Sequence, residues 1–194
     1  MQYITVKAGN VNIGQNRPII LQSMCNCNTN DIEAAVQQCK DLVAAGSEMV
    51  RLTTQGMKEV ASLKIIKERL RAEGINVPLI ADVHFSSDVA IAVASVADKV
   101  RINPGNFAKE HDIARSQFKI FLNECKKYNT AIRIGINHGS LGDRITEIYG
   151  DTAKGMLEAM TEWVEMAEEN DFHNMVLSLK SSNVPVMTEA YRIL

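Results

Sequence analysis

Residues 78–106 read PLIADVHFSSDVAIAVASVADKVRINPGN. Two short apolar runs, 78–83 and 99–103, flank a compact apolar stretch over 87–97 that has the length of a helix rather than a strand. Run, helix and run in about thirty residues is the pattern of a βαβ unit, whose strands lie parallel and whose crossover is right-handed. The same rhythm continues on both sides. Further strands are expected over 18–22, 48–52, 131–136 and 174–179. Further helices are expected over 30–46, 57–71, 111–127, 153–169 and 186–194. The first helix opens on Asn30-Asp31-Ile32-Glu33, a capped start, presents Ile32, Val36, Cys39 and Val43 on one face, and stops at Gly46. The helix over 153–169 presents Glu158, Glu162, Glu165 and Glu169, which read as a solvated acidic face. Ahead of the first unit, Ile4 and Val6, a turn at Gly9-Asn10, then Val11 and Ile13 read as a hairpin.

Strict β/α alternation leaves two α/β architectures, a doubly wound open sheet or a (β/α)8 barrel. A doubly wound nucleotide-binding sheet places a glycine-rich turn after its first strand, but Leu21-Gln22-Ser23-Met24-Cys25 has no glycine. Polar residues follow nearly every strand instead, as expected where the loops share one active-site mouth. The expected fold is therefore a TIM barrel. Six units do not close an eight-fold ring, and a whole barrel takes about 250 residues. Residues 1–194 are thus expected to be the N-terminal part of a barrel, truncated to about six β/α units.

Composition narrows the function. A net charge of -2 and a pI near 6.1 lack the basic imprint of proteins whose main partner is nucleic acid or an anionic membrane. No apolar run has the length of a bilayer span, and the opening MQYITVKAGNVNIG lacks a secretory apolar core. Cys25, Cys27, Cys39 and Cys125 show no disulfide-framework spacing, so a reduced, cytoplasmic setting is expected. Cys25 and Cys27 stand too close for the usual metal knuckle and have no second cluster, so they read as buried or loop thiols and no metal is expected on them.

Alternate strand residues point the same way. Arg101 with Asn103, Arg133 with Gly135 and Asn137, Asp82 with His84, and Ser178 with Lys180 therefore share inward-facing positions near strand ends, with Arg51 at the end of the second strand. Three arginines and a lysine converging on one mouth are costly to bury unless an anion or carboxylates neutralise them. Either each cation is paired structurally, or the group holds a ligand with more than one phosphate, to which the arginine fork is suited. Recurrence at equivalent places favours the ligand. The loops Asn103-Pro104-Gly105-Asn106 and Asn137-His138-Gly139-Ser140-Leu141-Gly142 could add backbone N–H groups.

Read as strings, the strand ends are Leu21-Gln22-Ser23-Met24, Val50-Arg51, Ala81-Asp82-Val83-His84-Phe85, Arg101-Ile102-Asn103-Pro104-Gly105-Asn106, Arg133-Ile134-Gly135-Ile136-Asn137 with Gly139-Ser140-Leu141, and Ser178-Leu179-Lys180-Ser181-Ser182. In this order they resemble the 4-hydroxy-3-methylbut-2-enyl diphosphate synthase family of isoprenoid biosynthesis, along the whole chain. The resemblance implies a TIM barrel followed by a domain holding a four-iron iron–sulfur cluster. It also implies reductive ring opening of 2-C-methyl-D-erythritol 2,4-cyclodiphosphate, with ferredoxin or flavodoxin as electron donor. Tyr149-Gly150-Asp151 and Phe172-His173-Asn174 resemble the plant and Bacteroidetes-type members, which carry an inserted domain.

The resemblance places diphosphate-binding cations at Arg51, Arg101, Arg133 and Lys180, polar contacts at Asn103 and Asn137, and Asp82 and His84 beside the substrate ring. Members often have threonines where this chain has Cys25 and Cys27. The family's cluster ligands fall beyond Leu194, so this chain is expected to bind no cluster and to be inactive by itself. Two rival expectations stand beside this one: a pterin-binding barrel of the dihydropteroate synthase kind, and a non-catalytic fragment. Self-association through the open edge of the sixth strand is also expected.

Overall fold

The computed structural model describes residues 5–14, 17–108 and 110–194. An antiparallel hairpin, β1 (Val6–Ala8) and β2 (Val11–Ile13), precedes the main sheet; Ile4, expected in that hairpin, lies outside the described residues. The main sheet is parallel and follows chain order: β3 (Gln22–Met24), β4 (Met49–Thr54), β5 (Leu79–Val83), β6 (Lys99–Ile102), β7 (Ala131–Asn137) and β8 (Met175–Lys180). Helices α1 (Ile32–Ala44), α2 (Met57–Ala72), α3 (Ser87–Val93) and α4 (His111–Tyr128) fill the first crossovers. α5 (Asp143–Tyr149) and α6 (Ala153–Glu169) follow β7, and α7 (Val184–Ile193) follows β8. Each strand pairs with the next in register.

Three expectations need correction. The first strand is Gln22–Met24, not 18–22: Pro18 has no N–H to donate, and pairing begins only where the Leu21 carbonyl accepts from Glu48 and Met49 N–H. The second strand runs on to Thr54, so Arg51 sits at its middle and not at its end. Helix α5 was not expected; its seven residues are bracketed by Gly142 and Gly150, both at positive φ.

Local chemistry accounts for the helix boundaries. The Asp31 side chain caps α1 by accepting from Ala34 N–H at 3.1 Å, and Ser86 caps α3 through Val89 N–H. α4 ends on Asn129 in the left-handed region. The expected acidic face of α6 is partly paired: Glu162 meets His111 and Arg144, and Glu169 meets Arg115.

Two apolar clusters flank the sheet. The larger lies between its outer face and the helices, where Leu52, Leu63, Leu79, Val100, Phe118, Phe121, Ile132 and Trp163 are buried. The smaller joins Val6 and Ala8 of the hairpin to Met49, Ile80 and Ala131 on the inner face. The hairpin thus closes the N-terminal end of the strands, and Asn174 fastens it there by accepting from Lys7 N–H and donating to Lys7 C=O. Lys99 Nζ on β6 approaches Gln22 Oε1 on β3 to 3.4 Å, although three strand spacings amount to roughly 14 Å on a flat sheet. The sheet is therefore curled, its concave face turned inward.

Candidate anion site on the concave face

Parallel pairing aligns inner positions across the sheet: Thr53 opposite Asp82, Asp82 opposite Arg101, and Arg101 opposite Arg133. Arg51 lies one inner position earlier on β4 and donates to Asp82 Oδ2. His84 Nε2 lies 3.0 Å from the same oxygen, and Arg101 Nη1 lies 3.4 Å from Oδ1. Asp82 is thus a buried hub, 1% exposed, with three partners, one each from the two neighbouring strands and one from just past the end of its own. Burial pushes its pKa up, but the hydrogen bond and charge of Arg51, with help from His84, outweigh burial and hold the carboxyl below its ordinary value.

The surrounding cations outnumber that carboxylate. Arg101 is 7% exposed and also donates to the Gly135 carbonyl at 3.1 Å. A Cβ on Gly135 would stand 2.8 Å from Arg101 Nε, so the glycine makes room for the guanidinium. Arg133 donates to Ser178 Oγ at 2.6 Å and makes no ion pair among the described residues. Burial lowers the pKa of both Arg101 and Arg133, and the like charge of Arg51 lowers both further. Arg51 Nε is buried with no hydrogen-bond partner among the described residues.

Asn103, 3% exposed, sits just past β6 rather than in it. It accepts from Gly105 N–H at 3.2 Å and donates to Ser140 Oγ at 3.0 Å, locking the two loops expected to line the mouth. Gly105 is required there, because a Cβ would fall 1.6 Å from the Ser140 carbonyl oxygen. Asn137 ends β7 opposite Lys180, with the Lys180 side chain exposed. That pair lies four residues beyond Arg133, roughly 13 Å along the strands. Lys180 is therefore placed at the rim and does not stand beside the three arginines.

One residue escaped the sequence reading. Lys99, two before Arg101 and on the same face, is 2% exposed. Its alternation with Arg101 and Asn103 was the available signal, but a lysine opening a strand reads as a solvated end. Burial first, then the charges of Arg133 and Arg51, lower its pKa to about 8.

The thiols do not gather into a metal nest. Cys25 and Cys39 are buried with sulfurs 3.7 Å apart, Cys27 is half-buried beside them, and Cys125 is enclosed in α4. Among the described residues no three His, Cys, Asp or Glu side chains converge as metal ligands. The residues present do not fit an iron–sulfur cluster. No described helix is long and apolar enough to cross a membrane.

The model of the GcpE TIM-barrel domain matches residues 4–194. The chain belongs to the GcpE TIM-barrel family. Within that family it is 46% identical to 4-hydroxy-3-methylbut-2-en-1-yl diphosphate synthase (flavodoxin) of Phocaeicola vulgatus, the alignment covering 97% of this chain and 34% of the relative. It is 47% identical to the protein of the same name from Bacteroides fragilis, over 97% of this chain and 33% of the relative. It is 41% identical to 4-hydroxy-3-methylbut-2-en-1-yl diphosphate synthase (ferredoxin), chloroplastic, of Arabidopsis thaliana, over 98% and 28%. This GcpE-family chain spans about a third of the length of the curated relatives it matches.

Among solved structures, dihydropteroate synthase of Burkholderia cenocepacia aligns with a TM-score of 0.61 at 15% identity, over 93% of this chain and 63% of that one. A truncated 3-deoxy-D-arabino-heptulosonate 7-phosphate synthase of Thermotoga maritima aligns at 0.58 and 16%, over 90% and 56%. These likenesses show the barrel architecture alone. The pterin-binding alternative therefore has only a shared fold behind it, whereas the synthase resemblance is carried by sequence.

Proposed function

We propose that this chain is the substrate-binding barrel of a 4-hydroxy-3-methylbut-2-enyl diphosphate synthase. On this reading its concave face holds the diphosphate of 2-C-methyl-D-erythritol 2,4-cyclodiphosphate, which the whole protein reduces to 4-hydroxy-3-methylbut-2-enyl diphosphate, drawing electrons from ferredoxin or flavodoxin in the cytoplasm. The observation that carries it is the excess of positive charge on the concave face: buried Lys99 and Arg101 and half-buried Arg51 and Arg133 face a single carboxylate among the described residues, Asp82, which pairs with Arg51 and Arg101 and leaves Lys99 and Arg133 without an ion pair. A buried cation without a counter-charge is costly, and a diphosphate supplies several charges and many acceptors at once. Asn103, Asn137 and Lys180 then serve the ligand from the rim, and Asp82 and His84 face its ring. The family's four-iron cluster would supply the reducing electrons when bound to the whole protein. The thiols of this chain offer it no nest, so the part assigned here is to bind and orient, and the chain by itself is expected to bind without turnover.

Arg133 is the decisive position, because among the described residues its guanidinium has one hydrogen-bond partner, the Ser178 hydroxyl, and no ion pair. Charge-assisted hydrogen bonds contribute about 1.5–3 kcal/mol, so Arg133→Ala should weaken cyclodiphosphate binding about ten- to a hundredfold. Calorimetry on the complete enzyme checks this. Unchanged affinity would place the diphosphate elsewhere and end this reading.

A further inference from the structure

Lys99 stands apart from the other cations of the concave face. It lies on the inner face with Ile80 on one side and Ala131 on the other, both members of the apolar cluster closed by the hairpin. Its ammonium meets only Gln22 Oε1 at 3.4 Å and Met49 Sδ at 3.9 Å, with no carboxylate in ion-pair range among the described residues. The groups that face it are Arg51 on β4, Arg133 on β7 and, on its own strand, Arg101. The nearest inner-face carboxylate, Asp82 on β5, is already engaged by Arg51 and Arg101. β8 offers Val176 and Ser178 on this face, neither of them charged, and its one charged residue there, Lys180, lies at the far rim opposite Asn137. A leucine or methionine would pack this floor at no electrostatic cost, so a charged amine there needs a partner that the described residues do not supply.

We propose that Lys99 is a cation of the anion site acting from below, and that anion binding fixes it in its protonated form. The proposal rests on the anion-binding reading above and adds a residue and a proton to it. Burial and the facing arginines bring the unliganded amine to about 8, and a polyanion above it must raise that value, since an opposite charge favours the charged form. The balance is simple: a neutral Lys99 amine, one proton from solvent and the bound anion give the ammonium–anion pair. Near or above pH 8 binding therefore draws a fraction of a proton from buffer, whereas around pH 6 Lys99 is already charged and binding draws none on its account.

The test titrates inorganic diphosphate into the complete protein in buffers of different ionisation enthalpy, near pH 8 and near pH 6, for the wild type, Lys99→Met and Lys99→Gln. Subtracting variant from wild type cancels the ligand's own titration. The expected result is a wild-type excess of about half a proton near pH 8 that vanishes near pH 6, with diphosphate bound about tenfold more weakly by either variant at pH 7. The advantage of the wild type should shrink as the pH rises past 8. A purely structural lysine would lower the melting temperature when replaced and leave both proton count and affinity alone. Equal affinity and equal proton count in wild type and variants would overturn the proposal while leaving the anion site intact. Failure of the wild type to bind diphosphate at all would instead overturn the functional reading beneath it. Should neither variant fold, the wild-type count alone decides: its uptake near pH 8 must exceed what diphosphate's own protonation accounts for, and no excess overturns the proposal.

Discussion

At Asp82 one carboxylate holds two guanidinium groups and an imidazole, none of which is adjacent to another in sequence. Replacing it with asparagine keeps the shape and one acceptor oxygen but removes the charge. Half-buried Arg51 and buried Arg101 are then left repelling one another, and breaking a buried pair by removing one partner costs about 3–5 kcal/mol. Because the folded pKa of Asp82 is lowered, its stabilisation is complete above the unfolded carboxyl value and fades as pH falls through the folded one. Asp82→Asn should thus be less stable than wild type by about 3 kcal/mol at pH 7, and the gap should narrow below about pH 4. Urea unfolding at both pH values checks this; equal stability at pH 7 would mean that Asp82 does not hold the arginines. The Asp82–His84 pair was legible, since two residues two apart on a strand share a face. Its partnership with Arg51 and Arg101 was not, because that depends on register across three strands. Lys99 was hidden for a related reason: whether the first residue of a strand meets water is decided by the hairpin packed beneath it.

Among the elements, β7 matters most for the site. It offers Arg133, Gly135 and Asn137 on one face, and the glycine is the member on which Arg101 of β6 depends. Its missing side chain leaves the space into which Arg101 lies, and its carbonyl accepts from that arginine. Gly135→Ala should therefore displace the Arg101 guanidinium, with an overpacking cost of about 1–3 kcal/mol. Diphosphate binding should weaken although no charge has been removed. Thermal unfolding and calorimetry together check the pair of effects, and an alanine variant that binds as tightly as wild type would show that Arg101 need not lie there. Strands buried on both faces, such as β5, were plain in the sequence because parallel strands read as near-continuous apolar runs. The first strand was misplaced because Ile19 and Leu21 look like strand residues, yet they are largely exposed and the hydrogen bonds to β4 start only at the Leu21 carbonyl. Helix α5 was missed because seven residues between two glycines carry too little periodicity to mark a helix.

Across the whole molecule, the curled sheet turns separate strand positions into one surface. The four cations come from β4, β6 and β7, with their carboxylate on β5, so an anion bound among them would tie four neighbouring strands together. The sheet has β3 and β8 at its edges, and on β8 the Leu179 N–H is met by the Tyr191 hydroxyl of α7 rather than by another strand. That contact satisfies one edge donor and weakens the case for self-association through this edge. Binding to the folded state alone stabilises it by mass action, about 2.7 kcal/mol at a hundred times the dissociation constant. For a domain of this size that is roughly 5–10 °C in melting temperature. Inorganic diphosphate at that excess should raise the melting temperature of wild type by this amount, and the same concentration should raise that of Arg133→Ala by far less. Sulfate at equal ionic strength should raise the wild-type value by less, because it brings fewer charges and acceptor oxygens to the cations than diphosphate does. Equal shifts with sulfate and diphosphate would reduce the concave face to a generic basic surface, with no fit to a ligand carrying two phosphates.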